Sequence, residues 1–486
     1  MNVLFVSAEV APFAKTGGLG DVAGALPRYL GKNGHDVRVV VPMYQRVRTK
    51  DRQFEPVLGE TVIDLGGTRV PFSVYSSKLP GTEVPVYFIH CPGLYDRPNI
   101  YTSDSDEHLR FCVLQHAALR LCQALQFAPD IVHANDWQTA LLPLMLRTVY
   151  AWDRLFSRTR TVLTIHNIGH QGTFGAHVLP ETGLAGAAGS FHQDHLREGR
   201  INFLLTGILY ANVITTVSPT YAREIQTPEH GVGLDAFLRG RRDVLFGILN
   251  GIDEDEWSPE RDQKIAVRYS VDTLEGKEEN KRVLLRAGGL PYVDDVPLIG
   301  IVSRLVWQKG FDLCVDVLPG MLRHSRVQLV VLGTGEPKYE QFFGELARRF
   351  PKQVAYKRGF SEPLAHQIEA GADMFLMPSR YEPCGLNQLY SLRYGTVPIV
   401  HRTGGLADTV QLFNARTGTG NGVVFDHFNG EGLTFALKYA LNLFGSGRGP
   451  DRARFQTVQR NAMSASHAWE ERVGYYEALY RRIAPG

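Results

Sequence analysis

MNVLFVSAEVAPFAKTGGLGD, residues 1–21, runs from a short apolar stretch, Val3-Leu4-Phe5-Val6, into a glycine-rich turn. A near-continuous apolar run bounded by turn residues is the mark of a strand buried on both faces of a parallel sheet. No basic segment precedes it and Glu9 interrupts it, so it reads as a first core strand rather than a secretion signal. The same grammar continues through the first half in Val37 to Val41, Val84 to Ile89, Ile131 to His133, Val162 to Ile165 and Val213 to Val217. It recurs in the second half in Leu298 to Val302, Val327 to Leu332, Val354 to Tyr356, Met374 to Met377, Val397 to Val400 and Gly422 to Phe425. Helical patterns fall between them, such as Glu107 to Gln126, where Phe111, Leu114, Ala118, Leu121 and Leu125 share a face.

Alternation of strand and helix over both halves predicts an α/β protein of two doubly wound domains. The turn-rich Leu249 to Asp253 and the polar Glu254 to Gln263 mark the boundary. The expected domains are residues 1–248 and 249–464, with residues 465–486 supplying a last helix. That helix carries Trp469, Val473, Tyr476 and Leu479 on one face and is expected to pack back on the first domain.

Composition narrows the function. The 486 residues hold 52 Lys+Arg against 50 Asp+Glu, a net charge of +2, which argues against broad binding to nucleic acid or an anionic membrane. No stretch approaches the roughly 18 apolar residues of a membrane span. The cysteines, Cys91, Cys112, Cys122, Cys314 and Cys384, show no C-x-x-C spacing, which fits a reducing, cytoplasmic setting.

Four elements carry chemistry. Lys15-Thr16-Gly17-Gly18-Leu19-Gly20-Asp21 places glycines and a cation at a helix start, where backbone N–H groups can approach a phosphate. It is echoed by Arg402-Thr403-Gly404-Gly405-Leu406-Ala407-Asp408. Gly18 to Ala23 formally matches the dinucleotide string G-x-G-x-x-A, but the second strand ends in Val41-Pro42-Met43 without the acidic ribose partner that NAD requires. Arg304 and Lys309 follow a buried strand, where ligands of open α/β sheets bind, and suit a diphosphate. Glu382, between Tyr381 and Pro383, is placed to accept hydrogen bonds from sugar hydroxyls, with Cys384 read as a small, partly buried thiol. His133 to Trp137 and Thr164 to His170 put polar groups after two further strands, without the spacing of a metal site. Asp104-Ser105-Asp106 matches a D-x-D string and reads as the N-cap of the helix at Glu107.

Together the motifs resemble the bacterial glycogen synthase and plant starch synthase family. They are KTGGLGDV (Lys15 to Val22), HANDWQTAL (His133 to Leu141), TIHN (Thr164 to Asn167), LNGID (Leu249 to Asp253), SRLVWQKG (Ser303 to Gly310), EPCGLNQLYSLRYGT (Glu382 to Thr396) and RTGGLADTV (Arg402 to Val410). The resemblance implies a GT-B fold: two Rossmann-like domains facing a deep cleft, the C-terminal helix crossing back to the first. It also implies transfer of glucose from ADP-glucose to the non-reducing 4-OH of an α-1,4-glucan with retention of configuration. ADP is released, and no cofactor or essential metal is expected. Lys15 and the Gly17-Gly18 backbone would face the donor diphosphate, with Asp21 near the nucleotide. Arg304 and Lys309 would stabilise departing ADP, and Glu382 would hold the glucose with help from Gly385 and Leu386. Cys384 would line the donor site, and Phe360 would stack on adenine. His166 would sit at the reaction centre, with Asp136, Asn167 and Asn250 lining the cleft.

Other readings remain open at this level. A transferase of the same fold could use UDP-glucose or a small acceptor. A phosphorylase, a non-catalytic glycan-binding protein and an NAD-dependent dehydrogenase fit fewer of the motifs.

Overall fold

Val3 to Val6 lie in strand β1 (Asn2–Val6), at the centre of a sheet, in a computed structural model that describes residues 1–48, 52–445 and 448–484. Among these residues the chain divides into two units. Unit 1 comprises Met1–Gly251 and the chain from Trp469 onward, and unit 2 is Ile252–Ala468. Both divisions fall a few residues beyond the expected boundaries.

The unit 1 sheet continues with β2 (Asp36–Pro42), β3 (Glu55–Leu65), β4 (Thr68–Lys78), β5 (Pro85–His90), β6 (Ile131–Asn135), β7 (Arg160–Ile165), β8 (Val213–Thr216) and β9 (Leu245–Gly247). Its spatial order is β9-β8-β7-β6-β1-β2-β5-β4-β3. Neighbours are parallel except at the β3–β4–β5 edge, which is antiparallel. The hairpin β3–β4 is absent from the sequence reading because β3 is mostly solvent-facing, so no apolar run marks it. The helix expected from Glu107 runs Glu107–Leu125 and stops at Gln126, which takes a left-handed conformation (φ 51°). The final helix, Trp469–Ile483, buries Trp469, Val473, Tyr476, Leu479 and Tyr480. The Tyr480 hydroxyl lies 2.6 Å from His133 Nδ1 on β6, which ties the end of the chain to the centre of this sheet.

Unit 2 has six parallel strands: β10 (Leu298–Leu305), β11 (Gln328–Gly335), β12 (Val354–Arg358), β13 (Met374–Met377), β14 (Val397–His401) and β15 (Val423–Phe425). Their order is β12-β11-β10-β13-β14-β15. Alternate residues enter two cores on opposite faces. Ile299, Ile301, Leu329, Val331, Met374, Leu376, Val397 and Ile399 join one. Leu298, Val330, Leu332, Phe375, Met377 and Val400 join the other. That period-2 division is what a doubly wound sheet requires of a strand covered by helices on both sides. Because the strands are parallel, the loops carrying the motifs leave from one end of each sheet.

Candidate active site

In unit 1 the site is organised by Asp136, which follows β6 with φ 55° and ψ −172°. A non-glycine residue at positive φ costs on the order of 1–3 kcal/mol and persists only where its surroundings enforce it. Here the Asp136 Oδ1 accepts the backbone N–H of His166 at 2.6 Å and of Asn167 at 3.4 Å, pinning the loop after β7. Burial raises the Asp136 carboxyl to about 7, against those two N–H groups, which favour its charged form.

His166 Nε2 lies 2.9 Å from Asn135 Oδ1, and Asn135 Nδ2 donates to the Val6 carbonyl at 3.0 Å. The Asn135 amide is thereby oriented with its oxygen towards the imidazole, so Nε2 carries the proton and Nδ1 is an acceptor. Burial pulls the imidazolium of His166 down to about 3, leaving a neutral ring. Asn167 Oδ1 is used locally, accepting from Gly169 N–H at 3.0 Å. Asn250 is buried, and its Oδ1 has no hydrogen-bond partner among the described residues.

At the glycine loop, Lys15 Nζ pairs with Asp21 Oδ1 at 2.5 Å. The helix begins at Gly18 (Gly18–Lys32). The N–H of Gly17, expected to face a phosphate, instead donates to Glu9 Oε2 at 3.2 Å. The sequence reading treated Glu9 as an interruption; it also overlooked Asn135 as the partner of His166. A charged residue inside a core strand's exit is the signal for Glu9, because a buried carboxylate must find donors.

In unit 2, Lys309 Nζ donates to Glu382 Oε2 at 2.6 Å, and Ser379 Oγ donates to the same oxygen at 2.9 Å. Glu382 Oε1 has no hydrogen-bond partner among the described residues and remains an acceptor. The side chain of Arg304 is exposed and makes no ion pair or hydrogen bond among the described residues. The second glycine loop braces Glu382. Gly405 N–H donates to the Glu382 carbonyl at 3.1 Å, and Gly404 sits at φ 43° where a Cβ would fall 1.9 Å from that oxygen. The two echoing loops therefore differ in use: the second holds protein backbone.

Cys384 is buried, and its carbonyl accepts from Gln388 Nε2 at 2.9 Å. Gly385 and half-buried Leu386 lead into the helix Asn387–Arg393. Phe360, just beyond β12, is 80 % exposed. Arg380, which the sequence places beside Glu382 without a role of its own, stacks between Trp307 (4.2 Å) and Phe428 (4.3 Å) beside the Lys309 loop.

One expected helix cap and one alternative reading lose their footing. Asp104 and Asp106 are both engaged by Arg97, at 2.7 and 2.5 Å, and Asp106, although at the N-cap position, makes no side-chain cap bond. The expected cap is therefore an ion pair. Asp36 opens β2 and pairs with Arg38 at 3.2 Å, away from the strand end where NAD's ribose would lie. Elsewhere in unit 2, Glu256, Glu362 and His366 cluster within 4.8 Å, but Lys264 Nζ contacts all three, at 3.0 Å from Glu256 and 3.2 Å from His366 Nε2. A cation of the protein's own fills that place.

Residues 2–240 match the family described as the starch synthase catalytic domain, and residues 289–455 match the glycosyl transferases group 1. The fold and loops are thus those of a GT-B glycosyltransferase. The chain is 44 % identical to a glycogen synthase of Anaeromyxobacter sp. over the full length of both, and 45 % identical to a glycogen synthase of Myxococcus xanthus covering 99 % of each. Among solved structures it matches the catalytic domain of starch synthase IV from Arabidopsis thaliana bound to ADP and acarbose, with a TM-score of 0.91, 34 % identity and 99 % of each chain covered. A sucrose-phosphate synthase from Thermosynechococcus elongatus shares the fold at TM-score 0.60 and 16 % identity over 99 % of this chain and 98 % of that one. The chain belongs to the glycogen and starch synthase family.

Proposed function

We propose that the chain transfers glucose from ADP-glucose to the non-reducing 4-OH of an α-1,4-glucan, with retention of configuration and release of ADP. The observation that carries this reading is the set at the ends of β10 and β13: an exposed Arg304 with no partner among the described residues, beside a Lys309–Glu382 pair that leaves Glu382 Oε1 open. The relatives named glycogen synthase, and the Arabidopsis relative bound to ADP and acarbose, support it.

The leaving diphosphate gains negative charge in the transition state, so cations fixed before the reaction lower its barrier selectively. Arg304 binds the diphosphate through its planar fork, and Lys309 adds a point charge while it holds Glu382 in place. Glu382 Oε1 accepts from donor-sugar hydroxyls. The neutral His166 offers Nδ1 as an acceptor to a sugar hydroxyl, and Asn250 Oδ1 offers another. Lys15 and the N–H groups of Gly18 and Leu19 present a second anion-binding surface on unit 1. Phe360 takes adenine by stacking. No carboxylate is paired with Glu382 as an opposed nucleophile in unit 2 among the described residues, which favours front-face attack within an ion pair. Asp104 and Asp106 pair with Arg97, which supports reading the D-x-D string as structural, and the reaction we propose needs no essential metal.

Among the described residues no helix is long and apolar enough to cross a membrane. A cytoplasmic enzyme acting on a polysaccharide is the setting we propose. Glucose transfer to glycogen from ADP-glucose and from UDP-glucose, measured side by side, tests the reading. Preference for UDP-glucose would replace the donor, and no transfer from either would overturn it.

A further inference from the structure

Glu9 is 2 % exposed and lies just beyond β1, beneath the glycine loop. Its Oε2 accepts the N–H groups of Thr16 at 2.5 Å and Gly17 at 3.2 Å. Its Oε1 accepts the hydroxyls of Thr16 at 2.7 Å and Tyr101 at 2.6 Å. Burial and the adjacent carboxylate push the Tyr101 phenol well above its ordinary range, so it stays a donor. Four donors from two separate loops thus converge on one carboxylate.

This changes which amides can meet an anion. Thr16 and Gly17 N–H are spent on Glu9, and Gly20 N–H closes on the Gly17 carbonyl at 3.1 Å. The N–H groups of Gly18 and Leu19 donate to no acceptor among the described residues and stand at the start of the 15-residue helix beside Lys15. The packing leaves no slack: a Cβ on Gly20 would lie 3.0 Å from Lys15 Cγ and 3.2 Å from Glu9 Oε2.

We propose that Glu9 is a positioning residue for the donor site, which holds the loop so that Gly18, Leu19 and Lys15, rather than Gly17, take the donor's phosphate. The proposal rests on the donor assignment above. Glu9 does not touch the donor; it acts through the loop backbone.

The contact pattern supplies its own control. Both backbone N–H groups fall on one oxygen and both hydroxyls on the other. A glutamine with its oxygen in the Oε2 place keeps the two backbone bonds, and its amide can donate to the two hydroxyls, which also accept. Glu9→Gln therefore preserves the geometry without the charge, and Glu9→Ala removes both.

The test measures ADP binding by calorimetry, KM for ADP-glucose and for glycogen, and the thermal midpoint of each variant. Glu9→Ala is expected to weaken ADP and raise the donor KM by about 10- to 100-fold with the glycogen KM within about twofold of wild type, and Glu9→Gln to restore most of that loss. Should Glu9→Ala not fold, Glu9→Asp, one methylene too short to span both loops, gives the same readout. ADP affinity within about twofold of wild type in the folded Ala or Asp variant overturns the proposal, as does a Gln variant as impaired as the Ala one. Wild-type protein that binds no ADP overturns the donor reading, and this proposal with it.

Discussion

Lys309 Nζ donates to Glu382 Oε2 across 2.6 Å, joining the loop after β10 to the loop after β13. The cation assigned to the leaving group and the carboxylate assigned to the sugar are thus one unit. On the proposed reading, removing the lysine strips a charge from the diphosphate, and among the described residues it leaves the buried Glu382 carboxylate with Ser379 as its one side-chain donor. Lys309→Ala is expected to lower kcat for glucose transfer by about 100- to 1000-fold, roughly 3–4 kcal/mol. A kcat near wild type would sink the assignment.

Arg304 offers a test of catalysis apart from stability. Its side chain makes no contact with charge or hydrogen-bonding groups among the described residues, so its loss costs the fold nothing that the structure shows. Arg304→Ala is expected to cut kcat by about 100-fold or more with the thermal midpoint shifted by less than about 1 °C. A falling midpoint with intact turnover would reverse the reading.

Gly404 tests how Glu382 is held. At φ 43°, with the Glu382 carbonyl 1.9 Å from where a Cβ would sit, alanine must displace the loop. Gly404→Ala is expected to destabilise unit 2 by about 1–3 kcal/mol and to lower kcat together with it, read by urea unfolding and transfer assays. Wild-type values in both would show that the loop does not brace the carboxylate.

The pH dependence of stability has opposing parts. His133 and His166 are held near 3 by burial, below the ordinary 6.5, so the unfolded chain takes up protons that the folded one refuses as pH falls through that window. Each lowers stability by up to about 1.4 kcal/mol per pH unit on acidification. Asp136, raised from 3.8 to about 7, acts the other way. Its contribution is complete below about pH 4 and is lost as pH rises to 7. Unfolding free energies of wild type and Asp136→Asn, compared between about pH 4 and 7, should therefore diverge, with the wild type falling relative to the variant as pH rises. Parallel curves would show that Asp136 is not held protonated.

Most of the strands were legible in the sequence because a strand covered on both faces must be apolar along its length, as in Val3 to Val6 or Leu298 to Val302. The hairpin β3–β4 was not, since an edge strand facing water carries no such run. In the site, Arg304, Lys309 and Glu382 were legible as chemistry at strand ends, but the pairing of Lys309 with Glu382 was not, because the two are 73 residues apart. Glu9 hid for a similar reason: its donors come from Thr16 and Gly17 and from Tyr101, 92 residues away. The likeness of the two glycine loops misled in part, since local sequence encodes a turn but not what will lie against it.

Tyr480 brings one last short-range test. Its hydroxyl meets a neutral, buried His133, so Tyr480→Phe is expected to cost about 1 kcal/mol of stability, seen as a lower thermal midpoint with kcat unchanged.

The helix that carries Tyr480 also sets an order of events during synthesis. Unit 1 is built from the first half of the chain and from the final segment beginning at Trp469, with all of unit 2 translated in between. Unit 2 is therefore contiguous and can close while the ribosome is still at work. The older part of the polypeptide, although made first, keeps the seat of Trp469, Tyr476 and Tyr480 uncovered until the segment from Trp469 has been made.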